Sequence, residues 1–75
     1  MRKSMIDWDK RAQVSGDAIA ERLSDKPRSK EAIEAGLVQF EIDLYTAFVD
    51  HQASNPELLT ATAMTVARRR LRLLH

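Results

Sequence analysis

The chain contains no cysteine, which excludes a disulfide frame, a thiol nucleophile and a thiolate-ligated zinc site. Glycine and proline are nearly as scarce, two of each in 75 residues, and there is no strand-like alternation, so an all-helical reading has little competition. Aromatic residues make up only 5%, too few for the stacking platforms of single-strand nucleic-acid binding. No apolar run approaches the roughly 20 residues of a membrane span, and the opening segment MRKSMIDWDK lacks the apolar stretch of a secretion signal. The net charge is +1, from 12 basic and 11 acidic residues, so there is no bulk field to draw in nucleic acid or an acidic membrane. From these absences the expected setting is the reducing cytoplasm.

What is present is a modest apolar set patterned for helices. Hydrophobic residues make up 44%, but ten of them are alanines, and a core in so short a chain contributes only about 3–5 kcal/mol. Pro27 and Pro56 fall between segments of helical periodicity rather than inside them. The pattern predicts three helices over about 5–24, 30–52 and 55–74. The expected fold is therefore all-α, a compact three-helix bundle, with dimerisation as one way to complete its core.

Helix one is expected to be capped by Ser4, with Asp7 answering three residues on. Met5, Trp8, Ala12, Ile19 and Leu23 then form one apolar stripe. Ser29 is the expected cap of helix two, and Asn55 or Ser54 that of helix three, with Pro56 in the tolerated first turn. Helix three carries a wide apolar arc of Leu59, Ala63, Met64, Val66, Ala67, Leu71, Leu73 and Leu74.

Helix two is unusual in having two stripes. Ile33, Leu37, Phe40, Leu44 and Phe48 form the first. Val38, Ile42, Tyr45 and Val49 form the second, centred roughly 145° further round the helix. Either helices one and three cover both stripes by packing on opposite sides of helix two, or the second faces outward toward a second copy or another protein. Gly36, with Ala32 one turn earlier, makes a small-residue notch for a neighbouring helix or a partner's side chain.

Charge is partitioned along the chain. Residues 1–28 carry 7 basic and 5 acidic groups, 29–55 carry 1 and 5, and 56–75 carry 4 and 1. An acidic helix between basic neighbours suits an intramolecular bundle, and Arg70, projecting from the apolar arc of helix three, is expected to pair with Glu34 or Glu41.

No chemical constellation emerges. There is no HExxH, no glycine-rich phosphate loop and no Gly-x-Ser-x-Gly. His51 and His75 are the only imidazoles, and Asp50 beside His51 points about 100° away from it on a helix. No enzymatic activity, cofactor or metal is expected. The arginines from Arg68 to Arg72 suit the negative end of a helix dipole, a docking patch for an acidic partner or a nucleic-acid contact. A recognition helix would place its N-terminal residues on base edges, yet here that end reads Asn55-Pro56-Glu57, with its one charge negative.

Glu41-Ile42-Asp43-Leu44-Tyr45, followed by Asp50-His51, resembles part of the small helical Hha-type regulators. The flanks depart from that pattern, and no residue role is carried across. The expected function is that of a small regulatory protein binding another protein, or itself as a homodimer, as an anti-activator or adaptor of a transcription regulator. The expected contact residues are Val38, Ile42, Tyr45 and Val49, with Arg68, Arg69 and Arg72 as a basic rim. The alternative is a DNA-binding or plasmid-maintenance protein using the same arginines.

Overall fold

A computed structural model describes residues 6–72. Three helices, α1 (Trp8–Leu23), α2 (Lys30–Asp50) and α3 (Pro56–Arg70), pack against one another, with no strand among the described residues. Each N-terminus is fastened by a side chain that accepts an otherwise unpaired backbone N–H. Asp7 accepts from Lys10 at 3.1 Å, Ser29 from Ala32 at 3.1 Å and Asn55 from Leu58 at 3.2 Å. Asp7 is thus itself the cap of α1, three residues later than the sequence pattern places it; Ser4 and Met5 lie outside the described residues.

The C-terminal ends are closed differently. Arg28 reaches back across the Pro27 connection, donating to the carbonyls of Arg22 and Leu23 at 3.1 and 2.8 Å and pairing with Asp25 at 2.9 Å. A guanidinium there satisfies the free carbonyls and offsets the negative helix end. After α2, Gln52 takes a left-handed conformation (φ 59°) that breaks the helix, and Arg72 does the same after α3 (φ 61°). The expected Leu73 and Leu74 of the α3 arc lie outside the described residues.

The most extensive packing is between α1 and α3, followed by α2 on α3, while α1 and α2 barely meet. Helix α3 is therefore the shared element, which removes the arrangement in which α1 and α3 flank a central α2. Small side chains explain why. Ala12, Gly16 and Ala20 are buried on α1 and Ala63 and Ala67 on α3, with Ala12 in one cluster with Ala63. At Gly16 a Cβ would strike the Ala63 carbonyl oxygen and stand 2.8 Å from Val66 Cβ, so glycine is needed for the crossing. Gly36 is the notch its spacing suggests, and the side chain of Leu23 occupies it, with Cδ2 2.7 Å from where a Cβ would stand.

Larger side chains fill the space on either side of this crossing. Ile19, Leu23, Leu37, Met64 and Ala67 form one buried cluster, with Ile33, Phe40, Leu44 and Leu71 packed against it. Ala12, Phe48, Leu59 and Ala63 form the other, against which Trp8 and Ala53 pack. Trp8 meets Phe48 edge to face at 5.9 Å between ring centres, and Arg11 lies 5.8 Å over the indole, so the tryptophan closes the end of the core.

Candidate functional site: the outer face of α2

Helix α2 turns its first stripe to α3 and to the ends of α1, and the second stripe stays largely open among the described residues. Val38 is 52% exposed, Ile42 55%, Tyr45 41% and Val49 46%. They recur at intervals of four, three and four, the seam spacing by which one helix receives another. From Val38 to Val49 the seam runs about 17 Å, or three turns. An exposed apolar strip of that regularity is the kind of surface that marks an interaction site.

Beside the seam, α2 and α3 diverge into an open groove of about 440 Å³. Ile42 and Tyr45 supply its wall on α2, Thr60 and Ala61 its side on α3, and Glu41 and Glu57 its charged border. The Thr60 hydroxyl donates to the Pro56 carbonyl at 2.7 Å, so it is already satisfied within the helix. Among the described residues, no buried side-chain polar atom lacks a partner, and no set of three His, Cys, Asp or Glu side chains converges as a metal site. His51 is exposed and caps α2 through its backbone N–H, which bonds Ala47 at 3.0 Å.

The arginines do not form one rim around this face. Arg68 pairs with Glu34 at 2.9 Å, and Arg70 pairs with Asp17 of α1 at 3.3 Å. Arg70 is thus paired with neither Glu34 nor Glu41, the two expected partners, and the correction follows from topology. Residues two apart on a helix point about 200° apart, so with α2 and α1 on different sides of α3, Arg68 turns to the first and Arg70 to the second. Arg69 borders a different groove, with Gln13, Leu58 and Val66 between α1 and α3. Arg72 is exposed beyond the last helical turn. Of the three arginines, only Arg68 forms a contact with α2 among those described, and it is occupied. As a partly exposed pair, Arg68–Glu34 contributes about 1 kcal/mol at most.

The residues that the sequence reading did not assign to the site are Glu41, Thr46, Glu57, Thr60 and Ala61, which join the predicted Ile42 and Tyr45 around the groove. Glu41 is legible as a neighbour of the seam on its own helix. Glu57 and Ala61 belong to the next helix, and no local pattern announces that they stand opposite Tyr45.

No helix among the described residues is long and apolar enough to cross a membrane. Comparison with family models, with curated proteins and with solved structures finds no match.

Proposed function

We propose that the chain is a small non-enzymatic regulatory protein that binds another protein through the outer face of α2, acting as an anti-activator or adaptor of a transcription regulator. The observation that carries the binding part is the exposed seam of Val38, Ile42, Tyr45 and Val49 on a helix whose other face is committed to the core. Tyr45 is the anchor of this reading, since it joins a large contact area to a polar tip beside the groove. The regulatory setting rests on class alone: a short helical chain built around one docking face works by occupying a surface of something larger.

The test is capture from the cells that produce the chain, using the wild type and Tyr45→Asp as parallel baits. The expected result is a protein retained by the wild type and lost with the variant. Once purified, it rebinds the wild type at least about thirty-fold more tightly than the variant, as for a central anchor. A reporter driven by that partner is then expected to fall when the wild-type chain is co-expressed. Identical capture by both baits would overturn the docking face. DNA binding with a steep salt dependence, abolished by replacing Arg68, Arg69 and Arg72 together, would favour the DNA-binding alternative instead.

A further inference from the structure

Resting on that reading, we infer that the partner presents an amphipathic helix whose apolar seam is bordered by lysine or arginine. The charged residues that line the groove are of one sign, Glu41 and Glu57. Between Glu31 and Ala67 the chain has six carboxylates and not one lysine or arginine, and the seam and groove lie wholly inside that stretch. Glu41 and Glu57 border the groove directly, and neither forms a salt bridge among the described residues.

The geometry selects a helix as the occupant. Intervals of four, three and four receive side chains from another helix in the manner of a coiled coil, and there is no sheet edge among the described residues for a strand to join. The chain already contains one such pairing. On the opposite flank of Glu34, α3 lays Met64 and Leu71 into the core and brings Arg68 onto the carboxylate. A basic amphipathic helix on the outer flank repeats that arrangement, with Glu41 and Glu57 in the place of Glu34.

A second copy fits less well. Setting α2 against α2 would face Glu41 and its neighbours with the same carboxylates, which is repulsive at an interface. Lys30, at the start of the helix, is the only basic residue that α2 itself would bring to such a pairing. Phosphate-bearing partners meet the same repulsion.

The probe is a displayed library of short helices with a fixed leucine seam and randomised flanking positions, selected on the whole chain. Counter-selections use Glu41→Lys/Glu57→Lys and Ile42→Asp, each checked for native helicity by circular dichroism. The expected result is enrichment of Lys and Arg at the flanks on the wild type, reversal of that preference on the charge-swapped variant, and no enrichment on Ile42→Asp. A selected basic helix is expected to bind the charge-swapped variant about tenfold more weakly, with the difference shrinking as salt rises. Flanks that stay unbiased or turn acidic on the wild type, or a basic bias that survives the charge swap, overturn the inference while leaving the docking face standing. Equal enrichment on the wild type and Ile42→Asp overturns the docking face itself, and the inference with it.

Discussion

Leu37→Ala is expected to destabilise the fold by about 2–5 kcal/mol and to leave much of the chain unfolded at 25 °C. Leu37 is fully buried, at 0% exposure, and it is the largest side chain so completely enclosed. It stands where α2 meets the Ile19, Leu23 and Met64 cluster, so truncation removes the contacts that hold α2 to the other two helices. A core of this size contributes only about 3–5 kcal/mol in all, and a cavity at its centre consumes most of that margin. Urea titration followed by circular dichroism checks it. A midpoint shift worth less than about 1 kcal/mol would mean that the core is repacked or lies elsewhere.

Gly16→Val is expected to be comparably damaging for the opposite reason, too much volume. The added atoms would be forced toward the Ala63 carbonyl oxygen and the Val66 side chain, and a backbone carbonyl inside a helix cannot move aside alone. Overpacking of this kind costs about 1–3 kcal/mol and sometimes more, here enough to push α1 off α3. Gly36→Ala is the informative contrast. Its new methyl meets a side chain rather than backbone, the Cδ2 of buried Leu23 at 2.7 Å, and the cost of shifting that methyl is offset by up to about 1 kcal/mol of helix propensity that alanine gains over glycine, so its loss should be much smaller than that of Gly16→Val. Thermal melts of the two variants side by side test the assignment of close approach to Gly16. Equal losses at both glycines would contradict it.

Much of this architecture is legible in the residues because its signals are local. Ser29 and the Asn55-Pro56 pair announce helix starts three residues from the N–H groups they serve, and the structure uses Ser29 and Asn55 as caps. The stripe of Ile33, Leu37, Phe40, Leu44 and Phe48 follows from helical spacing and indeed faces the core. At the start of α1 the Ser4–Asp7 spacing reads as a cap with its answering residue, whereas Asp7 is itself the cap.

Which neighbour each stripe meets is a different kind of question. The second α2 stripe is visible as a 4-3-4 repeat, yet its exposure depends on where α1 goes. That is decided by how closely α1 can approach α3 where Gly16 meets the Ala63 carbonyl and Val66. Once α1 is drawn to α3, it meets α2 only through residues such as Trp8 and Leu23 on the inner side, and the seam is left open. The same placement sends Arg70 to Asp17 and leaves Glu34 to Arg68. Charge sums over thirds of the chain identify α2 as the acidic helix but cannot distinguish arginines two positions apart. The groove is harder still to foresee, since Glu57 and Ala61 reach Tyr45 only through the turn at residues 51–55.

The central claim is that the chain folds without using the outer face of α2, and the most direct test is thermal unfolding of wild type and Ile42→Asp/Tyr45→Asp over a range of protein concentrations. Both positions are exposed, and exposed substitutions change stability by only about 0.5 kcal/mol each. The predicted result is a cooperative melt for both proteins, with midpoints within about 5 °C of each other and independent of concentration. Loss of the cooperative transition in the variant would place the seam inside the core. A wild-type midpoint that climbs with concentration, and a variant midpoint that does not, would assign the face to a second copy of the chain.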